Sequence, residues 1–253
     1  MENPLFKLIP DSVDSAAKNL VDPPTKNAGN TLGDIWYLVF GGISQAAEKK
    51  RLKYAIDLQK YEQQLKEALD LIPESKKKEA DIQVTAQALE ASKYCVSTPV
   101  LREMFVRLIA GSLNSDLEPH VHPSFPEILK QMSVKDALLL SSLKSTSDLP
   151  IINLGLNTEG NAYCLLYKGL LLPCNGLSSQ EASVAASALE REGLVSMTMS
   201  EQLSNERAYD QFEETQEYLR VKNLSLSQGT SIRVNKGICR LTTLGVEFVQ
   251  VCV

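Results

Sequence analysis

The sequence predicts a mainly α protein, in which an N-terminal multi-helix bundle with long helices is followed by a smaller α+β domain. Two patterns predict this division. Before Ser133, apolar residues recur at three- and four-residue steps, which is typical of packed helices. After Ser133, short apolar runs alternate with turn-forming residues, which is typical of strands. We therefore place the helical domain at 1–132 and the α+β domain at 133–253.

The composition is that of a soluble globular protein. The chain has 253 residues, of which 43% are hydrophobic and 23% charged, enough for one large core or two modest ones. The net charge is −5, and both predicted domains are acidic. Bulk charge therefore argues against a basic nucleic-acid module in either half.

Two apolar stripes predict the first long helices. The first begins near Pro24, and the second ends before Pro73. Their members are Ala28, Leu32, Ile35, Val39 and Ile43, then Tyr54, Leu58, Tyr61, Leu65, Ala68 and Ile72. Gly41-Gly42 predicts a break between the two helices, because each glycine costs about 1 kcal/mol in a helix interior. The second stripe has heptad-like spacing, which fits either self-association or a partner helix inside the bundle.

Three further helices complete the predicted bundle. The first lies within 74–96, starts nearer Glu79 because lysines oppose the dipole at a helix start, and buries Ile82, Ala86, Leu89 and Lys93 or Tyr94. The second opens at Pro99 with Thr98 as its cap, and its buried face is Leu101, Phe105, Leu108 and Ile109. The third is short and spans 125–132.

The second domain opens with a capped helix and continues with strands. Ser133 and Asp136 resemble a capping box for a helix to Leu143. The residues from 149 to 167 predict a hairpin around 157–161, with a helix there as the alternative. A serine-capped helix then starts at 178 or 179, buries Val184, Ala188 and Leu189, and ends at a glycine before a strand. A polar insertion near 200–224 predicts an added helix, and a last strand and helix follow.

The second domain resembles a winged helix at two junctions. Arg191-Glu192-Gly193-Leu194-Val195 resembles the passage from the third helix to the wing, and the segment from 239 to 248 resembles the last strand and helix. Asn235-Lys236-Gly237 then predicts the tip of the wing hairpin. This resemblance implies either DNA binding or protein contact, because the fold serves both.

Charge favours protein contact over DNA. The helix that would enter the major groove, SSQEASVAASALERE, exposes a neutral to acidic face with Gln180, Glu181, Ser183, Ser187, Glu190 and Arg191. The wing offers three cations, Arg233, Lys236 and Arg240. Three cations are a small electrostatic footprint for phosphate binding. A DNA-binding regulator stays the alternative.

No residue pattern predicts a catalytic centre, a cofactor site or a metal site. His120 and His122, with Asp116 and Glu118 nearby, could supply zinc ligands. We favour a structural corner in which the imidazole of His122 bonds backbone carbonyls. The carboxylates Glu62, Glu67, Asp70 and Glu74 alternate with lysines, as on a solvated helix face. Phosphate-binding glycine loops and the nucleophile-elbow motif do not occur, so we expect no enzyme.

An uncharged run at 35–47 contains the single tryptophan, and it is too short to span a bilayer, which needs about 20 apolar residues. We favour a core helix, with insertion of this segment into a membrane surface as the alternative. The five cysteines form no C-x-x-C pair, and the N-terminus lacks the pattern of a secretory signal. Both observations predict a cytoplasmic protein with reduced thiols.

The segment from 101 to 143 resembles the Abi-alpha family of bacterial abortive-infection proteins. The resemblance is carried by the Leu101-Arg102-Glu103 helix, the run His122-Pro123-Ser124-Phe125 and the helix start from Ser133 to Ala137. Across roughly 10–143 it implies a bacterial, cytoplasmic antiviral defence protein. We expect it to act without catalysis, by binding a phage or host protein.

Overall fold

A computed structural model describes residues 28–40, 48–146, 148–157 and 162–253. The chain divides into two compact units, Met1–Met132 with Gln250–Val253, and Ser133–Val249. The last four residues group with the first unit, whereas we expected them in the second. Helices dominate the described residues, and one four-stranded antiparallel sheet lies in the second unit. The mainly α prediction is confirmed at this level.

The described part of the first unit is helical. Its helices are α1 Ala28–Phe40, α2 Glu48–Asp70, α3 Ile82–Ser92, α4 Pro99–Ser112 and α5 Phe125–Gln131. Helix α2 packs on α4, while α3 packs on α1, α4 and α5. The predicted break at Gly41-Gly42 lies outside the described residues.

The predicted stripe of α2 faces the inside of the helical unit. Tyr61 and Leu65 are completely buried. The Tyr61 ring lies 5.3 Å from the ring centre of Trp36 and 6.2 Å from that of Phe40. Side chains of the same unit therefore cover the centre of this stripe. This is the arrangement expected if the stripe packs on a helix inside the bundle.

Helix α3 differs from its prediction in both start and orientation. It begins at Ile82, and the Asp81 carboxylate caps it by accepting a hydrogen bond from the Gln83 amide at 2.8 Å. Residues 74–76 form a separate short 3-10 helix. Ile82 is 61% exposed, so the predicted face was wrong at its start, and at its end Lys93 is half-buried while Tyr94 is 77% exposed. The buried side consists of Val84, Thr85, Ala88, Leu89, Ala91 and Ser92.

Helix α4 begins at Pro99 as predicted, although the Thr98 hydroxyl makes no capping hydrogen bond. Its four predicted core residues are all buried, with Phe105 completely so. Proline's fixed φ suffices to start the helix, because the first helical amides lack partners within the helix in any case.

The second unit combines helices with the sheet. Its elements are α6 Val134–Ser145, β1 Asp148–Asn157, β2 Tyr163–Leu171, α7 Ser179–Arg191, β3 Val195–Thr198, α8 Gln216–Gln228, β4 Ser231–Leu241 and α9 Thr243–Cys252. The strand order is β2-β1-β4-β3, and every pair is antiparallel. The hairpin predicted from residues 149–167 is confirmed as the β1–β2 pair, while residues 158–161 lie outside the described residues.

The capping box predicted for α6 is confirmed. The Ser133 hydroxyl accepts a hydrogen bond from the Asp136 amide at 3.3 Å, and the Asp136 carboxylate accepts one from the Ser133 amide at 2.6 Å. The amides of Ser133 and Asp136, which have no backbone partner within the helix, are thereby both hydrogen-bonded.

The insertion predicted near 200–224 covers one face of the sheet. It forms a 3-10 helix at Glu206–Glu214 followed by α8. The buried cluster under it joins the alternate β1 residues to aromatic side chains of the insertion, and its members are Ile152, Leu154, Leu156, Leu170, Tyr209, Phe212 and Val221. The Tyr209 hydroxyl also donates a 2.8 Å hydrogen bond to the Gly237 carbonyl. The insertion is therefore part of the core of this unit.

One expectation drawn from the winged-helix resemblance is not met. Asn235-Lys236-Gly237 lies inside β4 and forms no hairpin tip. A side-chain carbon at Gly237 would lie 2.4 Å from the Thr198 carbonyl oxygen, so this glycine permits close approach of the neighbouring chain. The helix considered as the alternative at 149–167 is also wrong, because strands β1 and β2 form there.

Candidate functional site

The histidine corner begins helix α5. The Nδ1 atom of His122 accepts a hydrogen bond from the Ser124 amide at 3.1 Å and lies 2.7 Å from the Ser124 hydroxyl. Its ring is also 6.0 Å from the Phe125 ring. The partner differs from the expected one, because the imidazole accepts from an amide where we expected it to bond backbone carbonyls.

The two carboxylates near the histidines are engaged by lysines. Asp116 pairs with Lys76, and Glu118 lies 3.0 Å from Lys78. The backbone holds the two segments together, since the Lys78 amide donates to the Leu113 carbonyl at 3.1 Å. Across the described ranges, no group of three or more His, Cys, Asp or Glu side chains is placed to hold a metal ion.

Burial keeps most of the cysteines in the thiol form. It raises the pKa of Cys95, raises that of Cys239 to about 12, and places that of Cys252 well above its ordinary value. The pKa of Cys174 is raised for the same reason. Because the thiolate is the nucleophile, these raised pKa values lower the thiolate fraction of the four side chains at neutral pH. Cys164, by contrast, is exposed.

Two of the three cations predicted for nucleic-acid contact are paired with carboxylates. Arg240 donates two 3.1 Å hydrogen bonds to Asp148 and pairs with Glu201 at 3.0 Å. Lys236 lies 3.4 Å from Glu206. These pairs neutralise charges that phosphate binding would need.

Arg233 is positioned by an aromatic ring. Its guanidinium carbon lies 5.0 Å from the centre of the Tyr163 ring, which is cation–π geometry. Among the described residues, no carboxylate pairs with Arg233, and a single guanidinium of this kind gives little positive charge for binding DNA.

Helix α7 is rotated relative to its prediction. Val184, expected inside, is 64% exposed, and Ser183, expected outside, accepts a hydrogen bond from the Leu171 amide at 2.9 Å. The error arises because alanine and serine occur on every side of this helix, so its apolar periodicity does not single out one buried face. The outward face that results carries Gln180, Val184, Ser187, Glu190 and Arg191, and the Arg191 guanidinium is paired with Glu192.

The start of α7 is a second capping box. The Ser178 hydroxyl accepts from the Glu181 amide at 3.3 Å, and the Glu181 carboxylate accepts from the Ser178 amide at 3.0 Å. The same carboxylate lies 3.0 Å from Lys135 at the start of α6. The Ser178 amide first, and Lys135 second, lower the pKa of Glu181 to about 2.

This lowered pKa predicts a pH-dependent stability. The unfolded carboxyl titrates near 4.5 and the folded one near 2, so the unfolded chain binds more protons between these values. The stabilisation by Glu181 is therefore complete above about pH 4.5 and is lost as the pH falls towards 2. In urea unfolding at a series of pH values, we expect the stability difference between the native protein and Glu181→Gln to shrink over this window. A difference that stays constant across it would contradict the assignment.

A buried ionic cluster joins α2 to α4, and sequence reasoning missed it. The cluster consists of Asp57, Gln64 and Arg102. The Arg102 guanidinium donates to Gln64 at 2.8 Å and to the Val96 carbonyl at 2.9 Å, and it lies 3.8 Å from Asp57. Asp57 and Arg102 are 8% and 6% exposed. The sequence could have indicated part of this cluster, because Asp57 and Gln64 are seven residues apart and so lie on one face of α2.

Glu62 is also buried, which corrects its assignment to a solvated face. Its side chain has an oxygen without a hydrogen-bond partner, and burial raises its pKa. Glu67, Asp70 and Glu74 are exposed as expected. The Asp57 carboxylate and the Tyr61 hydroxyl likewise each have a buried oxygen without a partner.

The edge strand β2 carries an exposed apolar segment in the second unit. Cys164, Leu165 and Leu166 are exposed in succession, the leucines at 42% and 39%. Tyr163 and Tyr167 flank them, and Lys168 is the one charged residue of the strand. Exposed edge strands present unpaired backbone groups, so this segment is suited to pairing with another chain.

The uncharged run at 35–47 is described only as far as Phe40. Trp36 and Phe40 are buried in the helical unit, while Leu38 is 80% exposed. Among the described residues, no helix has the length and apolar character that crossing a membrane requires.

Comparison with known proteins places the chain in a family. No curated protein matches it. A solved structure, that of an uncharacterized protein from the hydrocarbon-degrading marine bacterium Alcanivorax borkumensis SK2, is similar with 14% identity and a TM-score of 0.34, covering 54% of this chain and 94% of that one. The family model for abortive infection alpha matches residues 53–252. The match begins at residue 53, later than the predicted start near 10, and runs past the predicted end at 143 to residue 252. The chain belongs to the abortive infection alpha family.

Proposed function

We propose that the protein is a non-enzymatic antiviral factor of the bacterial cytoplasm, which acts in abortive infection by binding a phage or host protein. The observation that carries the proposal is the family match over residues 53–252, which suggests an abortive infection role. Because the match includes both units, we propose that the whole matched region acts as one factor.

The engagement of the reactive side chains supports action without catalysis. His122 is used at a helix start, and Asp116 and Glu118 are bound by lysines. Burial holds Cys95 and Cys239 as thiols. A nucleophile needs a base within hydrogen-bond reach, and these contacts give the groups structural roles instead.

Protein contact is supported over the two alternative partners. DNA binding would have to break the pairs that Arg240 and Lys236 make with carboxylates. Membrane insertion would have to expose Trp36 and Phe40, which are 5% and 6% exposed. The edge segment of β2, in contrast, is already exposed and apolar.

Phage plating tests the proposal. We expect bacteria carrying the gene to give fewer plaques than bacteria without it for at least one phage of a broad panel. The double variant His120→Ala/His122→Ala should protect as well as the native protein, provided that circular dichroism shows it to be folded. Loss of protection by the folded double variant would favour catalysis or metal binding. Unchanged plating by the native gene across the panel would count against the defence role itself.

A further inference from the structure

We propose that two copies of this chain associate through the edge strand β2, by antiparallel pairing of residues 163–165 around a two-fold axis at Cys164. This inference deepens the proposed function, since it names one contact surface and its partner. Strand β2 lies at the end of the sheet order, so its outer side carries no neighbouring strand among the described residues. Residues 164–166 are exposed, whereas Leu170 and Leu171 are buried.

The backbone register selects which part of β2 can pair. Tyr163, Cys164 and Leu165 lie opposite Asn157, Leu156 and Gly155 of β1 in regular succession. Beyond Leu165 the register with β1 is irregular at two places. Irregularities of this kind bend an edge strand and discourage pairing. The regular segment 163–165 is therefore the part of the edge that remains suited to a partner strand.

A second copy covers this segment on the face that carries Leu165. With the axis at Cys164, Tyr163 of one copy lies opposite Leu165 of the other, and both project from the same face because strand residues alternate. The Tyr163 ring lies over Gly155 of its own sheet, 5.0 Å from the Arg233 guanidinium, so the surface that the second copy covers is the exposed Leu165 side chain. Each copy thus covers the exposed Leu165 side chain of the other copy.

Charge also favours a second copy. The segment 163–167 is uncharged, so a partner strand should be uncharged too, and a second copy meets this condition. The two Lys168 side chains would lie at opposite ends of the paired strands. At about 3.3 Å per residue they are roughly 20 Å or more apart, beyond the screening length of about 8 Å at physiological salt. Their repulsion therefore does not oppose association.

The geometry supplies a covalent test. Residues directly opposite each other in an antiparallel pair have Cα atoms about 4.5 or 5.5 Å apart, within the range of about 4.4–6.8 Å that a disulfide requires. Copper-phenanthroline with oxygen should therefore join the two Cys164 side chains, as the two thiols lose two electrons and two protons to the oxidant. The cross-link should disappear in Cys164→Ser and persist in Cys239→Ser, whose thiol is buried.

Sedimentation of the full chain measures the association without a cross-link. We expect a mass that rises with concentration towards that of a dimer and that falls to the monomer value in Leu165→Asp. Leu219→Asp is the matched control, because Leu219 is 40% exposed on α8, away from the edge. Thermal unfolding of both variants checks that they are folded.

A constant monomer mass, a dimer that survives Leu165→Asp, or a cross-link that survives Cys164→Ser would each overturn the inference. These outcomes do not involve phage. If the chain is monomeric and still reduces plating, the proposed function stands without this contact. If the chain pairs through β2 but never changes plating, the inference stands and the defence role fails.

Discussion

Replacing Arg102 with leucine should lower the free energy of unfolding by about 3–5 kcal/mol, as expected when one partner of a buried ion pair is removed. Arg102 is 6% exposed, and its guanidinium donates to Gln64 and to the Val96 carbonyl. Without it, the buried Asp57 carboxylate loses its nearest cation, and one of its oxygens already lacks a hydrogen bond. Urea unfolding measures the loss.

A matched arginine on the same helix separates this effect from a general loss of charge. Arg107 is exposed and pairs with Glu103 at 2.6 Å, so Arg107→Leu should cost only about 0–1 kcal/mol. The double variant Asp57→Leu/Arg102→Leu should recover part of the loss, since replacing both members of a buried pair by apolar residues is often close to neutral. If Arg102→Leu costs no more than Arg107→Leu, the cluster does not stabilise the helical unit.

Replacing Gly155 with alanine should cost about 3 kcal/mol, at the upper end of what overpacking usually causes. A side-chain carbon here would lie 2.1 Å from the Cys164 carbonyl oxygen and 2.7 Å from the Tyr163 ring. The first of these atoms belongs to the backbone of β2 and cannot move unless the strand moves. The variant should therefore also weaken the cross-link at Cys164.

Gly111→Ala is the control for the Gly155 substitution. Gly111 lies in helix α4, and the nearest atom to an added side-chain carbon is a Val251 methyl at 3.2 Å. Alanine is better than glycine in a helix interior by about 1 kcal/mol, which should offset the tighter contact. We expect Gly111→Ala to be close to neutral. Thermal unfolding that shows equal losses for the two variants would contradict the close approach of β1 and β2.

Elements with strong local signals were predictable from the sequence. The helix start at Ser133 was predicted from a serine with an acidic residue three positions later, and the later start from a serine cap at 178 or 179. Ser133 and Ser178 both form reciprocal hydrogen bonds. The proline at position 99 likewise predicts the start of α4 correctly. In each case the deciding interaction lies within a few residues of the chain.

Features decided by distant contacts were not predictable. The charge of Glu62 among lysines indicates a solvated face, yet tertiary packing buries it. Asn235-Lys236-Gly237 has the composition of a turn, but the close approach of the Thr198 carbonyl requires the glycine in an extended strand. The candidate site shows the same limit, since the lysine partners of Asp116 and Glu118 lie about 40 residues away along the chain.

The central claim is that this chain protects a bacterial population by abortive infection, and infection of every cell at once tests it most directly. Counts of infected cells that release phage, and of infected cells that survive, should be made with and without the gene. We predict that the gene lowers the number of cells releasing phage and does not raise the number that survive. Infected cells that survive and divide, or that release phage as freely as cells without the gene, would contradict the claim.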